Sequence, residues 1–66
     1  STENIDKKVD LLQKILAKVK VIDFLLNLSF DREIITSKKY LKLANRIDDI
    51  TKFTTGWLNT IVKNKT

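Results

Sequence analysis

The chain has 66 residues, a formal net charge of +5 at pH 7, and neither cysteine nor histidine. This composition excludes disulfide bonds, and zinc sites built from cysteine or histidine, as sources of stability. A chain of this length buries only about 60% of its unfolded surface, so stability must come from closely packed helices, from oligomerisation or from further sequence. No apolar run approaches the roughly 18 residues of a membrane span, so we expect no membrane contact.

The first segment with a helical period runs from about Ile5 to about Glu33. Its main apolar face repeats at steps of three and four residues and consists of Ile5, Val9, Leu12, Ile15, Leu16, Val19, Ile22, Leu26 and Phe30. Apolar side chains also lie away from this face in the second half of the helix, at Val21, Phe24, Leu25 and Leu28. A helix that is apolar all round is buried on all sides, which one partner helix cannot achieve.

Asp23 lies within this apolar half, between Ile22 and Phe24. A buried carboxylate needs a partner, and either Arg46 or a residue of another chain could provide it. We expect a structural buried acid, held by an ion pair or by hydrogen bonds, rather than a catalytic group, because no second catalytic group is in view.

A break between helices is predicted at Ile34-Ile35-Thr36-Ser37, with Thr36 as the N-cap of the next helix. The second helix runs from about Ser37 to about Lys63, and its main apolar face consists of Tyr40, Leu43, Ala44, Ile47, Ile50, Thr54, Leu58 and Ile61. A short connection between two long helices predicts an antiparallel hairpin, so residues 1–66 form a single helical domain. Pairing about Ile35 brings Phe30 near Leu41, Leu26 near Ala44 or Ile47, and the Gly56-Trp57 region near Leu11 to Leu16.

One flank of the second helix, beside its main face, carries Arg46, Ile50, Phe53, Gly56 and Trp57. Glycine costs roughly 1 kcal/mol inside a helix, but it permits close approach of another backbone. Tryptophan and arginine are enriched where protein interfaces carry their binding energy. Two interpretations stay open: an oligomer or partner interface, or packing of Trp57 within the same bundle while Gly56 merely relieves crowding.

The lysines predict a second kind of surface. Candidates for contact with the phosphates of RNA or DNA are Lys14, Lys18, Lys38, Lys39 and Lys42. Lysine neutralises phosphate as a flexible point charge, which suits backbone contacts better than base recognition. No aromatic platform for stacking bases lies among these lysines, and a solvated lysine face without a ligand is the alternative.

Catalytic signatures are missing from the sequence. Histidine as a general base, cysteine as a nucleophile and a glycine-rich phosphate loop are all absent. We therefore expect no enzyme, no cofactor, no metal and no small-molecule substrate. The lack of cysteine is compatible with a cytoplasmic protein.

Three short motifs carry a resemblance: Asp23-Phe24-Leu25-Leu26, the Ile35-Thr36 break before Lys38 and Tyr40, and the closing Gly56-Trp57-Leu58. With the sequence around them, over about residues 11 to 62, they resemble the last two helices of a bacterial four-helix bundle family. That family includes the accessory variability determinant of diversity-generating retroelements and a relative inserted within some 23S ribosomal RNA genes. The Gly-Trp ending resembles the retroelement branch more closely.

The resemblance implies an all-α fold, in which this long antiparallel hairpin is part of an up-down four-helix bundle that missing helices or oligomerisation complete. It also implies a non-enzymatic, cytoplasmic protein of a bacterium or phage that forms a homo-oligomer, a pentamer in the retroelement protein. Its basic surface would bind the reverse transcriptase of the element and its RNA or cDNA. The alternative is a purely structural self-assembling helical bundle, or a protein–protein interaction module, without nucleic-acid binding.

Overall fold

The computed structural model describes residues 2–65, and the side chains of residues 4–64. It contains two helices, α1 (Thr2–Asp31) and α2 (Ser37–Lys65), which pack against each other, and the described residues form no strand. The predicted all-α hairpin is therefore confirmed. The helix boundaries differ slightly from the prediction, because α1 begins before Ile5 and ends before Glu33, while α2 continues past Lys63.

The turn after α1 directs α2 back along it. The N–H of Ile34 donates to the carbonyl of Ser29 at 2.8 Å, and the N–H of Glu33 donates to the carbonyl of Phe30 at 3.0 Å. This pair of bonds is the Schellman pattern that ends many helices. Glu33 has a φ of 59°, a left-handed conformation in which glycine is the usual residue. The sequence offers no glycine here, so the backbone of Glu33 is held in a strained conformation.

Replacing Glu33 by glycine should stabilise the hairpin. A residue with a Cβ loses about 1 kcal/mol in the left-handed region, and glycine loses almost nothing. We expect the free energy of unfolding to rise by about 0.5–1 kcal/mol, after allowance for the greater freedom of glycine in the unfolded chain. Urea denaturation of Glu33→Gly beside Glu33→Ala provides the measurement, since both variants lack the carboxylate. Equal stability of the two would contradict the role of φ.

Thr36 begins the second helix as predicted. The N–H of Lys39 donates to Thr36 Oγ1 at 3.2 Å, which satisfies one of the free N–H groups of the first turn. The carbonyl of Thr36 accepts the N–H of Tyr40 at 2.9 Å. The predicted N-cap is therefore confirmed, and the break falls where the β-branched residues of the sequence predicted it.

The end of the hairpin nearest the turn is held by an aromatic and polar cluster. The rings of Phe30 and Tyr40 stack with their centroids 4.4 Å apart and an interplanar angle of 19°. The hydroxyl of Tyr40 donates to Asn27 Oδ1 at 2.6 Å, and Asn27 Nδ2 donates to the carbonyl of Asp23 at 2.8 Å. Phe30 thus stacks on Tyr40, the residue next to the predicted Leu41, and Leu41 itself is mostly exposed.

The seam between the helices holds a very small core. Among the described side chains, those that are buried are Leu12, Leu26 and Thr54. Half-buried residues continue both main faces along the seam, at Val9, Leu16, Val19, Leu43, Ala44, Ile47, Leu58 and Ile61. Ile22 and Ile50 were predicted on these faces, but they are exposed in the hairpin. Each helix offers only a narrow strip to a single partner, so residues at the edges of the strip stay in solvent.

The hairpin is an elongated rod rather than a compact globule. It measures 48 × 15 × 12 Å, with a radius of gyration of 15.1 Å. A compact domain of this length would have a radius of gyration of about 11 Å. Domains normally enclose their core between at least two packed layers, whereas this rod is one layer of two helices. Both sides of its seam are therefore open.

Candidate helix-packing interface

Large apolar side chains cover much of the hairpin surface. Thirteen of those described are between 37% and 72% exposed: Leu11, Val21, Ile22, Phe24, Leu25, Leu28, Phe30, Ile34, Leu41, Ile50, Phe53, Trp57 and Val62. Scattered apolar residues are normal on protein surfaces, but contiguous patches mark interaction sites. Only those exposed side chains that lie together therefore indicate an interaction site.

A groove identifies one side of the seam as polar. Its lining consists of Val19, Lys20, Asp23, Ala44, Ile47, Asp48 and Thr51. Lys20 and Asp23 of α1 thus lie on the same side of the seam as Asp48 and Thr51 of α2. We call this side the polar side of the hairpin, and it provides a reference for the other residues of both helices.

The aromatic residues of the flank on α2 lie on the opposite side of the seam. Successive residues of a helix are about 100° apart, so Trp57 lies about 180° from Asp48 around α2. By the same spacing, Phe53 lies about 160° from Thr51. Trp57 and Phe53 also contact each other edge to face, with ring centroids 6.1 Å apart. The predicted flank is therefore a cluster of exposed aromatic side chains on one side of the rod.

Helix α1 contributes apolar residues to the same side. Ile22 lies about 160° from Lys20 around α1, and Leu11 and Ile15 each lie about 20° from Ile22. The antiparallel register set by Tyr40 places the level of Leu11 near that of Trp57. We call this surface the apolar side; it consists of Leu11, Ile15, Ile22, Ile50, Phe53 and Trp57. The predicted pairing about Ile35 already brought Leu11 to Leu16 near the Gly56-Trp57 region, whereas Ile22 was predicted on the main face of the first helix.

Gly56 has no structural cause within the hairpin. A Cβ built at this position meets nothing within 4 Å, and the backbone does not adopt a positive φ there. Relief of crowding is therefore not the reason for glycine in this two-helix structure. A shallow groove surrounds it, lined by Lys52, Phe53, Gly56, Trp57 and Thr60. Glycine lowers the stability of a helix relative to alanine, and no contact within the single chain offsets this loss.

The expectation of a buried acid at Asp23 does not hold in the hairpin. Asp23 is exposed, and none of the ion pairs among the described residues joins it to Arg46. The physical reason is geometric. Arg46 lies about 160° from Asp48 around α2, and therefore on the apolar side, whereas Asp23 lines the groove of the polar side.

The two lysine groups are exposed but remain separate. Lys38, Lys39 and Lys42 lie in the first turns of α2, near the connection between the helices, and no acidic residue shares the first turn. Lys14 and Lys18 lie near the middle of the rod, on α1. Lys38, Lys39, Lys42 and Lys18 form no ion pair within the described part of the chain, but Lys14 Nζ lies 2.9 Å from Asp10 Oδ2.

Another ion pair joins Lys52 Nζ to Asp48 Oδ2 at 2.9 Å, with both side chains well exposed. The hydrogen bond to Asp48, followed by its negative charge, raises the pKa of Lys52 above the ordinary value of 10.5. Because folding raises this pKa, the stabilisation is fully present below the ordinary value and is lost as pH rises through the raised one. Exposed pairs of this kind contribute little to stability.

The described residues contain no group of three or more acidic side chains that could hold a metal ion. Neither described helix combines the length and the apolar character that crossing a bilayer requires.

Comparisons with protein families, with curated proteins and with solved structures find no match. The resemblance to the retroelement bundle family rests on the sequence motifs alone. A reverse transcriptase and its RNA therefore stay predicted partners.

Proposed function

We propose that this protein is a non-enzymatic helical module that assembles with copies of itself and so completes a helical bundle. The observation that carries this proposal is the number of large apolar side chains left exposed on a rod only 12 Å thick. Apolar surface is driven from water at about 25 cal/mol per Å², so a second layer of helices gains free energy by covering it.

The accessible surface supports the proposal quantitatively. The chain exposes 5532 Å², whereas a folded monomer of its mass, 7.7 kDa, would expose about 4300 Å². The excess is about 1200 Å² by the same relation. A stable interface buries about 800 Å² on each partner, so the surplus is sufficient for one such interface.

The solution mass of the chain tests self-assembly directly. Light scattering on a sizing column gives the mass, and circular dichroism of the same sample gives the helix content. We expect a helical species at a discrete multiple of 7.7 kDa. A well-folded helical monomer at high protein concentration would contradict the proposal, because the exposed apolar side chains would then need no partner.

A second candidate function is binding of nucleic acid by the assembled bundle. The lysines near the start of α2 favour it, since they are exposed, unpaired within the described residues and accompanied by no acidic residue in the first turn. We propose in this case the role that the sequence resemblance implies, an accessory protein that binds a reverse transcriptase and its RNA or cDNA. Lys38, Lys39 and Lys42 would contact phosphates, with Lys18 and Lys14 as a further contact region.

Neutralising the α2 lysines should weaken RNA binding and reduce its dependence on salt. Each phosphate contact contributes about 0.7 to 0.9 to the slope of log K against log salt concentration. Changing Lys38, Lys39 and Lys42 to glutamine should therefore lower the slope by about 2 to 3. Fluorescence anisotropy with a labelled RNA over a series of salt concentrations measures both affinity and slope.

The matched control removes the same charge elsewhere. Lys8, Lys20 and Lys52 are exposed and lie outside the cluster, so changing these three to glutamine keeps the net charge of the two variants equal. Similar losses of slope in both variants would show a general charge effect instead of a site. A wild-type protein that does not bind RNA at physiological salt would exclude this second candidate while leaving self-assembly intact.

A further inference from the structure

The two sides of the hairpin differ in chemistry, and this difference selects a contact surface. The polar side exposes Lys20, Asp23 and Asp48 around an open groove. The apolar side presents Phe53 at 72% and Trp57 at 50% exposure.

Two cations also lie on the apolar side, Lys18 about 20° from Leu11 around α1 and Arg46 about 20° from Trp57 around α2. The long stems of lysine and arginine let their charges stay in water at the edge of a contact, whereas a short carboxylate such as Asp23 or Asp48 would be buried at a cost of several kcal/mol. Because burial of aromatic rings is favourable, a second layer of helices gains most on the apolar side.

We infer that the apolar side is the contact between two copies of this chain, which pack face to face about a two-fold axis and form a four-helix bundle. This inference rests on the proposed self-assembly and names its partner and its surface. A two-fold interface uses the same patch on both subunits, so one self-complementary patch is sufficient. Two hairpins stacked in this way give the two-layer arrangement that four-helix bundles share.

The area available matches a pair of copies. The surplus surface of about 1200 Å² per chain exceeds the roughly 800 Å² that each partner of a stable interface buries. Each aromatic side chain can bury about 150–250 Å², so Phe53 and Trp57 alone supply a large share of that contact. The aliphatic residues of both helices supply the rest, and the half-buried Ile15 extends the seam towards the partner.

Gly56 lies at the edge of this contact. It is about 100° from Trp57 and about 80° from Asp48 around α2, so it faces away from the seam. The groove around it opens beside Phe53 and Trp57, and nothing in the chain occupies the place of its Cβ. Arg46 lies on the apolar side itself, where its methylene stem can cover apolar surface while the guanidinium stays in water. Four residues of the flank on α2, Arg46, Ile50, Phe53 and Trp57, thus belong to one interface.

A pair of lysine substitutions tests the surface. Phe53→Lys puts a charge on the apolar side, and Leu41→Lys puts the same charge on α2 about 20° from Asp48, on the polar side. Both wild-type side chains are mostly exposed in the hairpin, so neither change disturbs its core. We expect Phe53→Lys to raise the dissociation constant at least about 100-fold, as for loss of an interface hot spot, and Leu41→Lys to leave it nearly unchanged.

Trp57 provides a second measurement, because it is the single tryptophan of the chain. In wild-type protein, quenching by acrylamide should increase and the emission should shift to the red as dilution dissociates the assembly. Dissociation without a change at Trp57 would show that copies meet through another surface. Equal loss of assembly in both lysine variants, or none in either, would likewise overturn the inference while the proposed self-assembly stands.

The mass of the wild-type assembly gives the number of chains and so tests the two-fold symmetry. An even number of chains supports pairing about a two-fold axis. A trimer or a pentamer overturns that pairing but leaves the proposed self-assembly in place. A helical monomer overturns both the inference and the proposed function, so the two failures are distinguishable.

Discussion

Replacing Leu12 by alanine should abolish most of the folded structure. Leu12 is 4% exposed and belongs to the very small set of buried side chains in the seam. A buried leucine truncated to alanine loses about 2–5 kcal/mol. A single core of this size rarely supplies more than about 3–5 kcal/mol, so the loss consumes most of the stability. Helix content by circular dichroism and urea denaturation measure the result.

The neighbouring leucine offers a matched control. Leu11→Ala removes the same atoms one position away, but Leu11 is 58% exposed in the hairpin. We expect this variant to keep its helix content at high protein concentration, and to assemble more weakly because Leu11 lies on the apolar side. If both alanine variants lost the same free energy of unfolding in a single chain, the seam would not be where the structure places it.

Dilution of the wild-type protein should unfold it. The seam alone buries few side chains, and a protein whose core is completed by a partner has no stability independent of concentration. For a dimer, each tenfold dilution removes about 1.4 kcal/mol from association, which lowers the melting temperature of a small domain by several degrees. Thermal melts followed by circular dichroism over a wide concentration range check this.

A melting temperature independent of protein concentration, with full helix content, would mean that the isolated hairpin is stable. The exposed apolar side chains would then be surface features without a stabilising role. Leu41→Lys serves as the control here too, because it should melt with the same concentration dependence as the wild type.

The course of the chain was predictable because it depends on local signals. A period of 3.6 residues defines both helices, and Thr36 marks the start of the second one with its capping oxygen. The left-handed Glu33 was not predictable, because only the geometry of the turn imposes that conformation on a residue other than glycine. The hydrogen bond between Tyr40 and Asn27 was missed because it depends on the register to within one residue.

Burial was harder to predict than helix formation. The sequence around Asp23 is apolar, which predicted a buried acid, but periodicity cannot say how many partners a helix has. With one partner, Asp23 lies in an open groove. The flank with Phe53 and Trp57 was predicted on α2, and pairing about Ile35 predicted its Gly56-Trp57 region near Leu11 to Leu16 of α1. The exposure of Ile22 on the same side of the hairpin required the structure. The predicted contacts of the lysines with phosphates stay a prediction, because neither helix shows by itself which ligand the lysines bind.

The cluster near the turn has a consequence for how the chain folds. The contact between Asn27 and Tyr40 closes a loop of 13 residues, whereas contacts of Leu12 with α2 close far longer ones. The entropy lost on closing a loop grows with the length of the loop. Contacts near the turn should therefore form first, and contacts near the chain ends should form last. Stopped-flow kinetics would then show Tyr40→Ala slowing folding, and substitutions at Leu12 mainly accelerating unfolding. The apolar side would consequently form last, at the open end, just as the hairpin becomes able to dock.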